Sequence, residues 1–126
     1  MQKKPQVLLY NLKQDIRTQK LRQYLTASGA EFRTVTAAEY LHPLGFLFGL
    51  PGFERNPLFN LGGNFSEEMM VLHNFSSEQL DSLLAFFRES RLPSVSLKAV
   101  LTPINQHWSS LALYQELVRE REAMKK

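Results

Sequence analysis

Tyrosine, asparagine and histidine side chains stand at the ends of two predicted strands, where they could form a small polar site. Tyr10 and Asn11 close the first apolar segment of the chain, and His73 and Asn74 close a later one. In α/β proteins, ligands often bind at the carboxyl ends of strands, where loops and helix starts supply N–H groups. The four residues are therefore candidates for ligand binding. The alternative is a structural role, because Asn serves turns and tolerates unusual backbone angles.

Other patterns that could support catalysis or metal binding are weak. The loops after both strands lack the glycines of a phosphate cradle. Glu67 and Glu68 are adjacent before a predicted strand, so their side chains should point to opposite faces rather than act as an acid–base pair. His42, His73 and His107 lack the spacing of metal ligands. We therefore predict no catalytic residue, no metal and no cofactor, and we lean against an enzyme.

Composition indicates an ordinary globular chain. Of its 126 residues, 44% are hydrophobic and 21% are charged, with a net charge of +3 and no cysteine. The charge excess is small for a dedicated nucleic-acid binder, and the lack of cysteine excludes disulfides and thiolate chemistry. The most apolar stretch, residues 44–50, is far shorter than the roughly 20 residues of a membrane-spanning helix. We expect a soluble, cytoplasmic protein in which residues 1–126 form a single domain.

The hydrophobic pattern contains two halves that each read strand, helix and strand, residues 5–37 and residues 67–103. An offset of 63 residues aligns Val7 with Met70 and Asn11 with Asn74. The likeness lies in pattern rather than identity, so either duplication or two β-α-β units obeying the same physics explains it. The predicted strands are residues 7–12, 32–36, 69–73 and 94–101, and the predicted helices begin near Thr18, Ser76 and Ser109.

Strand composition suggests the topology. The first strand of each half is apolar throughout, whereas the second alternates, and these patterns are typical of central and edge strands. We therefore predict an α+β fold, a two-layer ferredoxin-like β-α-β-β-α-β sandwich with the first and third strands in the centre. A small parallel α/β sheet is the alternative. Residues 104–126 add a C-terminal helix.

An insertion, residues 38–66, separates the halves and is the most aromatic stretch of the chain. A helix is predicted over 38–50, with Pro43 favouring a break or a late start. The insertion either folds over the open sheet face and completes the core, or exposes an apolar patch that binds a partner. On the second interpretation, Phe46, Phe48 and Phe53 are the candidate partner interface. The large apolar residues of the stretch are Phe46, Leu47, Phe48, Leu50, Phe53, Leu58 and Phe59.

Three segments carry a family resemblance. They are residues 44–53 (LGFLFGLPGF), residues 65–70 (FSEEMM), and residues 97–105 (LKAVLTPIN) with Trp108. Together they resemble an uncharacterised bacterial family, domain of unknown function 3783. The resemblance implies a bacterial cytoplasmic origin, and it carries no known activity or catalytic residues.

The leading hypothesis is a small non-catalytic binding or regulatory module that acts through protein contacts as a homodimer. We expect a second copy or another protein as the partner, and no membrane. One alternative is an enzyme or small-ligand binder with a polar site at the strand ends.

A second alternative is a single-stranded RNA-binding module. The opening strand, followed by a helix with Leu21, Arg22 and Tyr24, is similar to the start of RNA-recognition motifs, which have ferredoxin-like topology. Those motifs need base-stacking aromatics on the third strand. The third strand here, residues 69–73 (MMVLH), has none.

Overall fold

Four short strands form one mixed sheet in the order β2-β1-β3-β4, within the residues that the computed structural model describes, which are 4–58, 60, 62 and 64–125. The strands are β1 (Gln6–Tyr10), β2 (Glu31–Thr34), β3 (Met69–His73) and β4 (Leu97–Val100). β1 pairs in parallel with β2, and β3 pairs in parallel with β4. The two central strands, β1 and β3, are antiparallel. Phe59, from the aromatic stretch of the insertion, lies outside the described residues.

Helices connect the strands and cover both faces of the sheet. Asp15 caps the first helix by accepting a hydrogen bond from the N–H of Thr18. Ser76 and Gln79 form the capping box that starts the third helix. The α-helices are α1 (Ile16–Ala27), α2 (Leu44–Leu47), α3 (Ser77–Ser90) and α4 (Ser110–Met124), and two 3-10 helices span Ala37–Glu39 and Asn105–His107.

The mixed sheet and its helices agree with the α+β class, but the ferredoxin-like strand order is wrong. In that order another strand separates the two strands of each β-α-β half, whereas here α1 and α3 each connect neighbouring parallel strands. The all-parallel alternative is also wrong, because the central pair is antiparallel. The placement of the first and third strands in the centre is confirmed. The ferredoxin-like sheet and the observed sheet share that placement, so the apolar pattern could not distinguish them.

The sheet lies in the middle of three layers rather than in a two-layer sandwich. Val7 and Leu9 face a core built with α1 and α3, and Leu8 and Tyr10 face a second core built with α2 and α4. Successive side chains of a strand point to opposite faces. An uninterrupted apolar strand therefore needs cover on both sides, and the C-terminal helix and the insertion supply the second cover.

A local two-fold relation links the two halves. Leu8 lies opposite Val71 in the antiparallel ladder. These two residues are also 63 positions apart, which is the offset that aligns the two halves. The local two-fold axis therefore passes between Leu8 and Val71. In the helices the relation shifts by one residue. The buried counterpart of Leu21 is Leu83, whereas Leu84, which the offset of 63 selects, is exposed.

The relation also extends further along the chain than the sequence indicated. After β2 and β4 it continues at a spacing of 66 residues, through Thr36 and Thr102, whose N–H groups each bond the side chain three residues later, Glu39 or Asn105. It then reaches Pro43 and Ser109, which form a β-bridge with each other. The first part of the insertion is therefore the counterpart of the C-terminal segment, and the short α2 matches the start of the long α4.

The insertion folds mainly into the core. Tyr40, Leu44 and Phe48 are buried within the single chain. Gly45 lies under the Phe53 ring, so closely that a β-carbon at Gly45 would come within 2.6 Å of it. The same ring lies 5.1 Å from the ring of His107. Phe53 therefore joins the insertion to the segment before α4.

Gly45→Ala should destabilise the fold by about 1–3 kcal/mol, the usual cost of overpacking. The added methyl group forces the Phe53 ring away from Gly45 and from His107. Urea unfolding measures the change, and Gly62→Ala is the matched control because no atom lies within 4 Å of its new β-carbon. Equal stability of the two variants would contradict the close packing described here.

Candidate functional site

The four residues predicted at strand ends do not form one site. β1 and β3 are antiparallel, so their carboxyl ends lie at opposite ends of the sheet. Tyr10 lies opposite Met69, whereas His73 lies opposite Gln6, four residues away along β1. At about 3.3 Å per residue this separates the two ends by roughly 13 Å. The structure brings Tyr10 together with Asn11, and His73 with Asn74, but not the two pairs with each other.

Asn11 and Asn74 perform the same structural task at the two ends. Both have a left-handed backbone, with φ of 61° and 65°. The Asn11 Nδ2 donates to the carbonyl oxygens of Phe65 and Glu67, just before β3, at 2.9 and 3.1 Å. The Asn74 Nδ2 donates to the Lys4 carbonyl, just before β1, at 3.4 Å. Each asparagine thus ties the end of one central strand to the chain entering the other, as the turn interpretation expects.

Tyr10 is enclosed by protein. Its side chain is fully buried, and its hydroxyl lies 2.6 Å from the Ser110 Oγ at the start of α4. Burial raises the pKa of the Tyr10 hydroxyl, so the group stays neutral. The Tyr40 hydroxyl donates to the Asn11 Oδ1, and burial raises the pKa of Tyr40 as well. Neither ring is accessible for stacking on a nucleic-acid base.

The three histidines lie in separate surroundings. The His42 Nδ1 accepts a hydrogen bond from the Asn56 N–H. The His73 ring lies 5.2 Å from the Phe48 ring, and His107 packs against Phe53. Among the described residues, no three His, Asp or Glu side chains are arranged to hold a metal ion.

The three candidate interface residues of the insertion differ in exposure. Phe48 is buried, whereas Phe46 and Phe53 are half-buried. The Phe46 ring lies 5.1 Å from the ring of His42. Each ring therefore already packs against its own chain, and the insertion offers little apolar surface from these three side chains.

A cleft of about 530 Å³, which we call the polar cleft, lies at the end of the sheet near Asn11. Most of the residues that line it are polar or charged: Lys13, Asp15, Arg17, Ser66, Glu67, Glu68 and Ser96. The adjacent acids at its edge point to opposite faces, as predicted. Glu68 pairs with Arg17, which also donates to the Pro93 carbonyl at 3.3 Å. Glu67 accepts hydrogen bonds from Arg121 at 2.6 and 2.9 Å and from the Tyr114 hydroxyl at 3.3 Å. The charges therefore join α1 and α4 to the start of β3.

The corresponding crevice at the other end of the sheet is much smaller, about 70 Å³. At the positions that the local two-fold relation makes equivalent, the small crevice has Pro5 instead of Glu68 and Gln79 instead of Arg17. The loop before α3 is also shorter, with three residues against the five that precede α1. The polar cleft is therefore a feature of one half only, formed by the longer loop and the charged pair.

A third feature, which the sequence reasoning missed, is an apolar groove between α3 and the edge strand β4. It encloses about 250 Å³. Leu84 on α3 and Val100 on β4 are 47% and 46% exposed, and both line it. The groove was missed because the 63-residue offset aligns Leu84 with Leu21, which is buried, and so predicts that Leu84 is buried as well. The helical spacing of Leu80 and Leu84 beside the alternating strand could have revealed it. The full lining is Leu72, Leu80, Leu83, Leu84, Lys98, Ala99 and Val100.

The fold and these sites define a small mixed α/β protein with no recognisable catalytic constellation among the described residues. Residues 68–124 match the model of a family described as a domain of unknown function, domain of unknown function 3783. The match confirms the predicted resemblance over β3, α3, β4 and α4, while residues 44–53 lie outside it. No curated protein and no solved structure matches the chain. No helix in the described part of the chain is long and apolar enough to cross a membrane.

Asn11→Ala should destabilise the fold more than Asn74→Ala, by about 2–3 against about 1–2 kcal/mol. Both changes force alanine into the left-handed region, but Asn11 also loses two well-formed hydrogen bonds to backbone carbonyls. Asn11→Gly and Asn74→Gly, which keep the backbone geometry, separate the hydrogen bonds from the strain. Urea unfolding gives the four values, and equal losses at the two sites would contradict the interpretation.

Acid should weaken the attachment of α4 through Glu67. Hydrogen bonds from Arg121 hold the pKa of this carboxyl below its usual range. A lowered pKa stabilises the fold above the ordinary carboxyl pKa of about 4.3, and this contribution is lost as the pH falls through the lowered value. We expect wild type to exceed Glu67→Gln in unfolding free energy at pH 7, with the difference shrinking toward pH 3. A difference independent of pH would contradict the ion pair.

Proposed function

We propose that the chain is a non-catalytic binding module that acts through protein contacts, and that its partner is a second copy bound at the α3–β4 groove. The observation that carries the proposal is the shared exposure of Leu84 and Val100 at one groove. Among the residues that the structure describes, the other large exposed apolar side chains, which do not line this groove, are Ile16, Leu58, Ile104 and Met124. Exposed apolar surface that lines one concavity favours a contact site over ordinary surface.

The position of α3 leaves one of its flanks free for such a contact. Its inner flank packs on α1, where Phe86 stacks on Tyr24 at 4.7 Å and Ser82 lies 2.7 Å from the Tyr24 hydroxyl. The opposite flank carries Leu84 beside β4. We call the stripe Asp81, Leu84 and Arg88 the outer flank of α3, because residues three and four apart are neighbours on a helix surface.

The charges of the outer flank favour a second copy as the partner. Asp81 and Arg88 are exposed on either side of Leu84, and neither forms a salt bridge within the described residues. Two copies of α3 that meet antiparallel at Leu84 place Asp81 of one beside Arg88 of the other, twice. Such a two-fold contact is self-complementary. It buries the exposed leucines between two ion pairs.

The groove also lies entirely within residues 68–124, the part that matches the family model. The polar cleft, by contrast, depends on Lys13, Asp15 and Arg17 from outside it. This location supports the groove as the functional surface. The bacterial and cytoplasmic setting expected from the sequence stays a prediction.

The RNA and small-ligand alternatives have less support. The RNA hypothesis assumed a ferredoxin-like topology, which the sheet does not have, and Tyr10 is buried. The ligand hypothesis assumed that the strand-end residues converge, and they lie in two separate pairs.

Sedimentation at micromolar concentration tests the proposed contact. We expect wild type to sediment as a dimer and Leu84→Asp as a monomer, because the new carboxylate would be buried without a partner. Leu58→Asp is the matched control, since Leu58 is 68% exposed outside the groove. A monomeric wild type, or equal effects of the two substitutions, would refute the proposal.

Charge reversal tests the antiparallel arrangement of the two helices. Asp81→Arg or Arg88→Asp alone should weaken dimerisation about tenfold, because each places like charges together at both ends of the contact. The double variant should restore wild-type association. If the double variant does not regain wild-type dimerisation, the antiparallel arrangement of the two helices is refuted. The groove as the site of contact is tested separately by Leu84→Asp.

A further inference from the structure

The outward-facing side of β4 is the open edge of the sheet. Leu97 and Leu101 donate their N–H groups inward, to the carbonyls of Glu68 and Leu72. Because the direction of these groups alternates along a strand, the N–H and C=O groups of Lys98 and Val100 face outward. Outward-facing N–H and C=O groups on an edge strand are a template for pairing with another strand. This edge lies directly beside the groove that the proposed dimer uses.

Asn105 occupies part of that edge. Its side-chain Nδ2 donates to the Val100 carbonyl at 3.1 Å, and its Oδ1 accepts from the Thr102 N–H at 2.8 Å. A carbonyl and an N–H two residues apart are the pair that one residue of a neighbouring parallel strand would bond. The Asn105 amide therefore takes the place of the N–H and C=O groups of one residue in an adjacent strand. The residue itself is buried, although it follows an exposed edge.

Lys98 protects the rest of the edge. Its ammonium group folds back to the Ser94 Oγ at 2.8 Å and the Val95 carbonyl at 3.1 Å. A charged side chain on an edge strand opposes strand addition.

The other edge of the sheet has a related device. Thr36 after β2 donates its N–H to the Glu39 carboxylate at 3.1 Å, and Glu39 stands 66 residues before Asn105. Glu39 also pairs with Arg33, which lies on the edge strand itself. A carboxylate cannot donate to a strand carbonyl, so only Asn105 binds both a donor and an acceptor of its edge.

We propose that Asn105 holds the β4 edge closed against antiparallel pairing with β4 of a second copy. It thereby directs self-association to the outer flank of α3. The inference about direction rests on the proposed function, whereas the closure of the edge does not. Without the Asn105 amide, the Val100 carbonyl and the Thr102 N–H are left for a second chain. The partner that could then bind is another β4 strand.

Two substitutions in the Leu84→Asp chain, which the helix contact should leave monomeric, test the closure. Asn105→Asp keeps an acceptor for Thr102 but loses the donor to Val100, and Asn105→Ala loses both. We expect each to convert the monomer into a dimer at micromolar concentration in sedimentation, with slowed amide exchange at Lys98. If each of the two variants is folded and stays monomeric, the inference is overturned.

Val100→Pro is the control for strand pairing. It removes the outward N–H, and proline is tolerated at such edge positions. Added to Asn105→Asp, it should return the mass to that of a monomer. Association that persists with Val100→Pro overturns the inference, because the new contact would then not be strand pairing.

Two further experiments distinguish failure of the proposed dimer, or of folding in the variants, from failure of the edge closure. If wild type is itself monomeric, the Asn105 variants are made without Leu84→Asp, so failure of the proposed function leaves this test intact. If both variants fail to fold, amide exchange in the wild-type chain decides. The Thr102 N–H should exchange at least tenfold more slowly than that of Lys98, and equal rates overturn the closure.

Discussion

The antiparallel pairing of β1 with β3 is the constraint on which the rest of the structure depends. Leu8 and Val71 lie opposite each other at its centre, and the two halves extend outward from this pair in opposite directions. Each half adds its own parallel edge strand through its own helix. The same two-fold relation brings Pro43 beside Ser109 across the second core. One chain thus contains two β-α-β units that are joined by an antiparallel central pair.

This pairing also explains the third layer and the location of the free apolar surface. Because both central strands are buried on two faces, the aromatic insertion and α4 are needed as cover opposite α1 and α3. Most of their described large apolar side chains consequently pack within the chain. α3 packs against α1 through Phe86, whose ring stacks on Tyr24. The groove between α3 and β4 therefore keeps two partly exposed apolar side chains, Leu84 and Val100.

The polar residues mainly hold the ends of the sheet together. Asn11 and Asn74 bind the chain entering the opposite central strand, and the adjacent acids Glu67 and Glu68 join α4 and α1 to β3. An antiparallel centre separates the carboxyl ends of β1 and β3. Side chains that look equivalent in the sequence are thus far apart in space. This is the physical reason that the repeat produced two structural joints and not one polar site.

The sequence by itself determined the strands, most helix starts, the central position of the apolar strands and the opposite directions of Glu67 and Glu68. All of these follow from short-range patterns: alternation along a strand, helical spacing, and capping by Ser76 or Ser109. Strand order, the third layer and the exposure of Leu84 were decided by tertiary structure. They depend on which surfaces meet after the elements form, and a one-residue shift between the two halves is enough to move a leucine from the core to the surface. The Asn105 contacts are local, because they reach only Thr102 and Val100, three and five residues earlier in the chain. Their effect at the sheet edge still depends on tertiary structure, because strand order makes β4 the outermost strand.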